Sequence, residues 1–207
     1  MDIKRLTIFD KEYPKILKEI YDPPRVLYYK GTIFPDEKCI AVVGTRKMTN
    51  QGRRETEKFT KGLVMAGFTI VSGLARGIDS VAHKTALAVG GRTIAVLGNG
   101  LDHIYPPENI NLAKKIVNSG GVILSEYPCH APPKPENFPK RNRIISGLSL
   151  AVLVVEAREN SGSLITARCA VEQGREVFAV PPNDLINLGA QAVFNPEEIT
   201  DILQEVV

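Results

Sequence analysis

Four short segments of the sequence combine glycine with hydroxyl, amide or basic residues, and together they have the composition of an anion site. They are Gly44-Thr45-Arg46, Ser72-Gly73-Leu74-Ala75-Arg76-Gly77, Gly98-Asn99-Gly100 and Ser161-Gly162-Ser163. Glycine lets the backbone approach a ligand closely, and hydroxyl and guanidinium groups donate hydrogen bonds to phosphate oxygens. Each segment alone could equally serve the tight packing of a turn. Four of them, two with arginine, favour a phosphate-binding site.

A fifth segment places positive charge beside an aromatic ring. Phe138-Pro139-Lys140-Arg141-Asn142-Arg143 has three basic residues within four positions. A charged groove with an aromatic side chain that stacks on a base is the usual basis of single-stranded nucleic acid binding. If residues from Asn142 onward form a helix, Arg143 lies in its first turn and the donors converge on the same anion site. The alternative for Phe138 is a hydrophobic anchor for the proline-rich loop before it.

The common signatures of enzymes and metal sites do not occur in the sequence. No Gly-x-Gly-x-x-Gly motif follows the first predicted strand, and the lysine motif of nucleoside-triphosphate sites is missing. The three histidines and three cysteines are scattered, so they predict no nucleophile with its base, no zinc site and no disulfide framework. We therefore predict no catalytic residue, no metal ion and no cofactor.

The composition is that of an average globular α/β domain. The chain has 207 residues, of which 43% are hydrophobic and 24% are charged, and its net charge is +3. Residues 195–207 carry −4, so the rest of the chain carries +7 and can form a basic surface that the net charge hides. Neither a signal peptide nor a membrane-spanning run is recognisable, and we expect a cytoplasmic protein.

Alternation of apolar runs with amphipathic stretches predicts a doubly wound, mostly parallel α/β sheet with helices on both faces. Apolar runs without period-two alternation predict buried strands at Cys39–Val43, Thr69–Ser72, Thr93–Leu97, Val122–Ser125, Leu150–Glu156 and Val177–Val180. Helices are predicted at Gln51–Met65, Ser80–Val89 with Asp79 as N-cap, Asn109–Asn118, Leu164–Gln173 and Glu197–Val206. Ligands bind such sheets at the carboxyl ends of the strands, where the strand order reverses. Each glycine segment follows a predicted strand and so belongs at that edge.

The chain is predicted to have two parts. Residues 1–38 carry several prolines, and we expect a short helix near Pro14–Ile20 and an extended segment that packs on the main domain. Residues 39–207 form the α/β domain. The last predicted helix has an apolar face that either packs on its own domain or lies near a partner.

These motifs, in this order, resemble the bacterial DNA-processing protein A family, also called DprA or Smf. Further matching segments are Ala95-Val96-Leu97-Gly98-Asn99-Gly100 and Ser161-Gly162-Ser163-Leu164-Ile165-Thr166-Ala167. The resemblance implies an extended Rossmann-like domain that binds single-stranded DNA without cutting it. It also implies protection of incoming strands in natural transformation, loading of the RecA recombinase onto them, and a homodimer.

The resemblance also implies roles for individual residues. Gly44, Thr45 and Arg46 would hold a backbone phosphate, and Phe138 would contact a base. The full set of expected binding residues is Gly44, Thr45, Arg46, Ser72, Gly73, Arg76, Gly98, Phe138, Lys140, Arg141, Asn142, Arg143, Ser161, Gly162 and Ser163. The family usually has a longer loop after Val180-Pro181, where Pro182-Asn183-Asp184 leads directly to Leu185 here. The composition of that wall of the pocket therefore stays open.

Two alternative functions remain for the same site. Rossmann-like phosphoribohydrolases that resemble lysine decarboxylases share the architecture, but their Pro-Gly-Gly-x-Gly-Thr motif is not found, although Glu156 precedes Ser161-Gly162-Ser163. The other alternative is a sensor that binds a small nucleotide in the same pocket.

Overall fold

The apolar runs of the sequence form the centre of one mostly parallel sheet. The computed structural model describes residues 2–157 and 161–206, and their side chains up to residue 203. Within these residues nine strands form the order β1-β2-β6-β5-β4-β3-β7-β8-β9. The strands are β1 (Lys4–Thr7), β2 (Val26–Gly31), β3 (Cys39–Val43), β4 (Thr69–Ser72), β5 (Thr93–Val96), β6 (Val122–Ser125), β7 (Ala151–Val154), β8 (Glu176–Ala179) and β9 (Gln191–Ala192). Strand β2 pairs antiparallel with β1 and β6, and the other pairs are parallel.

Helices cover both faces of this sheet, as predicted for a doubly wound fold. They are α1 (Lys15–Lys18), α2 (Asn50–Met65), α3 (Ile78–Ala88), α4 (Ile110–Asn118), α5 (Asn137–Gly147), α6 (Gly162–Glu172) and α7 (Pro196–Val206). One core cluster joins the sheet to α1, α5 and α6, and two others join it to α2, α3, α4 and α7. Strands β3 to β7 are buried along their whole length, which explains their continuous apolar sequences.

The strand order reverses between β3 and β7, and this reversal positions the site. From β3 the chain adds β4, β5 and β6 on one side, and it then returns to place β7 and β8 on the other side of β3. The loops after β3 and β7 therefore leave the sheet in different directions and open a crevice between them.

Several element boundaries differ from the sequence-based expectation. Helix α3 begins at Ile78 with Gly77 at its N-cap, so Asp79 lies inside the helix and does not cap it. Helix α2 is capped by Thr49, whose Oγ1 accepts a hydrogen bond from the Gly52 amide at 3.0 Å. Helix α5 begins at Asn137, five residues before the predicted start. Strand β9 was not predicted, because its two residues are too short to form a pattern.

The first 38 residues contribute directly to the sheet. Strands β1 and β2 pair with each other, and β2 pairs with the edge of β6. The helix expected near Pro14–Ile20 is the single turn α1, whose Leu17 is fully buried against the main core. The division of the chain into residues 1–38 and 39–207 stays a prediction.

Helix α7 packs on its own domain. Its Ile199 and Leu203 are buried with Phe59 and Leu63 of α2. Of the two placements considered from the sequence, packing within the chain is therefore the one observed for these side chains. Across residues 2–157 and 161–206, no helix has the length and apolar character needed to cross a membrane.

Candidate functional site

A cavity of about 530 Å³ opens at the carboxyl ends of β3 and β7. It lies between the loop after β3, the first turns of α5 and the N-terminus of α6. The predicted binding residues that line it are Gly44, Thr45, Arg46, Phe138, Arg141, Asn142, Ser161, Gly162 and Ser163. Residues separated by more than one hundred positions in the sequence thus form one site at the crevice of the sheet.

The loop after β3 is held by backbone contacts that leave its basic side chains free. The Thr45 amide donates to the Glu156 carbonyl at 2.7 Å, and the Thr45 carbonyl accepts from the Ile78 amide at 3.2 Å. Arg46 and Lys47 are exposed, and neither forms an ion pair within the described part of the chain. Two cations therefore stand at the cavity on a fixed backbone.

Gly77 is required for this arrangement. Its φ is +75°, and a Cβ at this position would lie 2.2 Å from the Thr45 carbonyl oxygen. The start of α3 and the loop after β3 therefore pack backbone to backbone. This close approach explains why a glycine-rich segment after β4 accompanies the one after β3.

The N-terminus of α6 faces the same cavity. Ser161 is the N-cap residue, and its Oγ is hydrogen-bonded to the Oγ of Ser163. Among the described residues, none has an atom within 4 Å of a Cβ placed at Gly162, so on their side the first turn is open to a ligand. Free amides and the positive end of the helix dipole favour an anion at this point.

Beneath the cavity lie two buried side chains of opposite charge. Arg141 is 4% exposed, and its guanidinium donates to the carbonyls of Gly73, at 2.9 Å, and of Val96. The buried Asp79 carboxylate accepts from the amides of Gly73, at 3.1 Å, and of Ala75, at 3.3 Å. Burial lowers the pKa of Arg141 to about 10, an effect that Asp79 opposes, so Arg141 stays charged at neutral pH.

Arg141 orders the ends of two strands. Burial raises the pKa of Asp79, and the Arg141 charge and the backbone hydrogen bonds counteract that rise. Because both Arg141 contacts are carbonyls at the ends of β4 and β5, the guanidinium joins α5 to the sheet. A Cβ on Gly73 would lie 2.7 Å from the guanidinium, so the glycine makes room for it. Arg141 borders the cavity, and its Nε and Nη1 atoms already donate within the protein.

Asn142 connects α5 to α6. Its Nδ2 donates to the Gly162 carbonyl at 3.0 Å, and its Oδ1 accepts from the Arg141 Nε at 3.3 Å. The serine-containing turn of α6 is thereby fixed relative to Arg141.

Phe138 lies at the rim, half-buried, with close neighbours. A Cβ on Gly98 would lie 2.9 Å from the Phe138 ring, so the ring rests on the backbone of that glycine. The Arg46 guanidinium lies 5.9 Å from the ring centroid, within cation–π range. The Tyr105 ring centroid lies 5.5 Å away at an interplanar angle of 43°.

The structure does not bring every expected residue to the cavity. The Arg143 guanidinium turns away, because it forms two hydrogen bonds with Glu126, at 2.8 and 2.7 Å, and one with Asp22, at 3.1 Å. Its expected convergence with the other donors is therefore wrong. Lys140 is exposed but does not line the cavity. Helix α5 begins before Asn142. Lys140 and Arg143 therefore lie on faces of the helix that differ from the expected ones.

Four further expected residues lie around the cavity and do not line it. Ser72 is fully buried, and its hydroxyl donates to the Val42 carbonyl at 2.7 Å. Gly98 supports Phe138 from behind. Arg76 pairs with Glu108 on the surface and borders a second, smaller cleft beside Tyr105. Gly73 also borders that cleft.

The sequence did not predict several residues that line the cavity. The cavity also contains Lys47, Ala75, Asp79, Ile145, Ile165 and Thr166, among others. Lys47 directly follows Arg46. Thr166 lies one helical turn after Ser163, so the spacing of a helix that begins at the serine segment predicts Thr166 on the same face. In the described ranges, no group of three or more His, Cys, Asp or Glu side chains is arranged to hold a metal ion.

Comparison with known proteins assigns the family. Residues 4–205 match the family model described as DNA recombination-mediator protein A. The chain belongs to this family. The resemblance found in the motifs is thereby confirmed, and so is the Rossmann-like α/β class of the fold.

Several relatives are similar over nearly the whole chain. Protein Smf from Synechocystis sp. is 49% identical over 209 residues, which cover 94% of this chain and 52% of that protein, so this chain spans about half the length of that relative. The X-ray structure of DNA processing protein A from Streptococcus pneumoniae has a TM-score of 0.89 and 42% identity, covering 97% of this chain and 74% of that one. DNA processing protein A from Helicobacter pylori, described with a unique single-stranded DNA binding mode, has a TM-score of 0.85 and 30% identity, covering 99% and 97%.

Proposed function

We propose that this protein binds single-stranded DNA in the cavity at the ends of β3 and β7. The observation that carries the proposal is the pair of exposed cations, Arg46 and Lys47, that faces the open N-terminus of α6 beside the ring of Phe138. The similar Helicobacter pylori protein, which is described as binding single-stranded DNA, supports the same conclusion.

In this proposal each group of the site has a distinct role. Arg46, Lys47 and the first turn of α6 bind backbone phosphates through charge and amide donors. The hydroxyls of Ser161 and Ser163 donate to the same oxygens. Phe138 presents an aromatic surface to a base. Arg141 and Asn142 hold these elements in place and do not bind the strand themselves.

The arrangement favours single strands over duplexes. In a duplex both faces of each base are stacked on neighbours, so no base face is available to Phe138 without unstacking. Phosphate contacts do not read sequence, and an aromatic ring accepts any base. We therefore expect weak base preference and steep salt dependence.

The wider function follows the family. We propose that the protein holds incoming strands in the cytoplasm without cutting them, acts as a homodimer and delivers them to the RecA recombinase. The membership of the recombination-mediator family supports this role, since a mediator must hold the strand and release it intact. No cofactor and no metal ion is required by phosphate binding of this kind.

The first prediction concerns Arg46. Replacing Arg46 by Ala should weaken binding of every oligonucleotide, whatever its sequence, because a phosphate contact is lost. The slope of log affinity against log salt, about −0.7 for each phosphate contact with a single strand, should become less steep by about one contact. Fluorescence anisotropy with labelled oligothymidylate measures both quantities.

Matched controls make this test specific. Arg5→Ala removes an exposed arginine on strand β1, which lines neither cleft, and should bind as the wild type does. Equal affinity of Arg46→Ala and wild type would contradict the assigned site. Release of free base from nucleoside monophosphates would instead favour the phosphoribohydrolase alternative, and tighter binding of a mononucleotide than of an oligonucleotide would favour the sensor.

A further inference from the structure

A second cleft continues from the rim of the cavity. It is bordered by Arg46, Gly73, Arg76, Tyr105 and Phe138, so it shares Arg46 and Phe138 with the first cavity. Tyr105 is 41% exposed, although it packs against Phe138. An exposed aromatic ring and an exposed guanidinium thus stand side by side next to the proposed strand-binding site.

We propose that Tyr105 and Arg76 form a second nucleotide subsite, in which the Tyr105 ring stacks on the base next to the one at Phe138 and Arg76 binds the adjoining phosphate. This inference rests on the proposed function and extends the path of the strand beyond the main cavity. The ligand class is a single-stranded oligonucleotide of any sequence, because stacking and phosphate contacts carry no base code.

The spacing of the two rings fits consecutive nucleotides. Their centroids are 5.5 Å apart. Stacked bases follow one another at about 3.4 Å, and an extended strand separates them further, so consecutive bases can reach both rings. The two rings are tilted by 43° and are not parallel, which suits two splayed bases better than one continuous stack.

The loop that carries Tyr105 is already ordered. Asn99 is fully buried, and its Nδ2 donates to the carbonyls of Gly100, at 3.0 Å, and of His103. The Gly100 amide donates to the Ala131 carbonyl at 2.8 Å. A base that stacks on Tyr105 therefore meets a ring whose position is fixed, and little conformational entropy is lost on binding.

Arg76 can exchange its partner for a phosphate. Its ion pair with Glu108 is solvent-exposed, with 60% and 53% of the two side chains accessible. Such exposed pairs contribute little stability, whereas a guanidinium binds the oxygens of a phosphate with two parallel hydrogen bonds. This placement gives Arg76 a role, although it does not reach the main cavity.

Binding of oligothymidylates of about 2 to 16 nucleotides tests the subsite. Tyr105→Leu should weaken binding of the longer oligonucleotides by about 5- to 150-fold, the effect of losing one base–aromatic stack. The affinity for oligonucleotides that are too short to extend beyond Phe138 should not change. Tyr105→Phe keeps the ring and should restore the affinity. Arg76→Gln should make the salt slope less steep by about one phosphate contact for the longer oligonucleotides alone.

A control variant and a second measurement distinguish loss of the subsite from a folding defect. Tyr21→Leu removes a fully exposed tyrosine that borders neither cleft and should change nothing. Photocrosslinking of the wild-type protein with 5-iododeoxyuridine oligonucleotides should label Tyr105, which mass spectrometry identifies even if Tyr105→Leu does not fold.

The outcomes separate this inference from the proposed function. If Arg46→Ala weakens binding while Tyr105→Leu binds every length as the wild type does and Tyr105 is not crosslinked, the subsite is wrong and the strand-binding cavity stands. If the wild-type protein binds no single strand, the proposed function itself fails.

Discussion

At the scale of single residues, three arginines near the site differ in function. One faces the cavity, and the other two bind groups of the protein itself. Arg46 is exposed at the cavity, Arg141 is buried beneath it and Arg143 is bound to Glu126 and Asp22. What separates them is the number of acceptors that the fold supplies. Arg141 donates to two carbonyls, and its charge counteracts the raised pKa of the buried Asp79, so its charge serves the structure. Arg46 meets the ring of Phe138 and remains available to a phosphate.

Replacing Arg141 by Met should test its structural role. The variant removes the charge that counteracts the raised pKa of the buried Asp79 carboxylate and leaves two buried carbonyls without their donor. A buried polar group without a partner costs about 1–3 kcal/mol of the free energy of unfolding. Urea unfolding measures this quantity. The deficit should be smaller at about pH 5 than at about pH 7. Without Arg141 the pKa of Asp79 rises further above its unfolded value, so the folded state keeps a proton that the unfolded state loses as the pH rises.

Two further variants test whether the loss of stability in Arg141→Met comes from its buried position and its coupling to Asp79. Arg46→Ala should leave the unfolding free energy within about 0.5 kcal/mol of wild type, since it is exposed. The double variant Arg141→Met with Asp79→Asn should be less destabilised than the sum of the two single variants. Additive effects would contradict the coupling of the two charges.

At the scale of elements, the site depends on backbone segments that touch each other. The loop after β3 is fixed on one side by Glu156 at the end of β7 and on the other by Ile78 at the start of α3. Helix α6 is tied to α5 through Asn142 and Gly162. The ends of two strands and parts of three helices thereby share one rigid framework, which lets exposed side chains on loops hold a defined geometry.

Gly77→Ala should disturb this framework. The added methyl combines a positive φ with a contact of 2.2 Å to the Thr45 carbonyl, so the loop must move. We expect weaker single-strand binding and a loss of more than about 1 kcal/mol in the free energy of unfolding. Gly90→Ala is the matched control: its φ is +76°, but its Cβ would meet no atom within 4 Å. Equal effects of both variants on DNA affinity would show that the contact with Thr45 is unimportant.

At the scale of the whole molecule, stability is coupled to a buried histidine in the centre of the fold. His83 of α3 is fully buried, and its Nδ1 donates to the Thr93 Oγ1 at 2.7 Å, while the Thr93 hydroxyl donates to the Ile70 carbonyl. The Nε2 atom has no hydrogen-bond partner among the described residues. Burial, and to a lesser degree the Arg141 charge, lower the pKa of His83 to about 3.

This pKa predicts acid sensitivity. Below the unfolded value of 6.5 the unfolded chain binds a proton that the folded protein refuses, so the free energy of unfolding should fall with pH from 6.5 down to about 3. The slope attributable to His83 is about 1.4 kcal/mol for each pH unit. Urea unfolding across this range measures it, and His83→Gln, which does not titrate, should lack that part of the slope. If His83→Gln showed the same dependence of the unfolding free energy on pH as the wild type, the acid sensitivity would come from other titratable groups.

The sequence by itself determined the class of the fold and the segments that surround the site. Strands buried on both faces must be apolar throughout, and close backbone contacts require glycine, so both are visible as local patterns. The tertiary structure alone decided which side chains face the cavity. Arg143 is withdrawn by Asp22, and Tyr105 is brought against Phe138, through contacts between residues far apart in the chain. Local spacing contains no information on such partners, because they are set by the strand order and the direction of each helix.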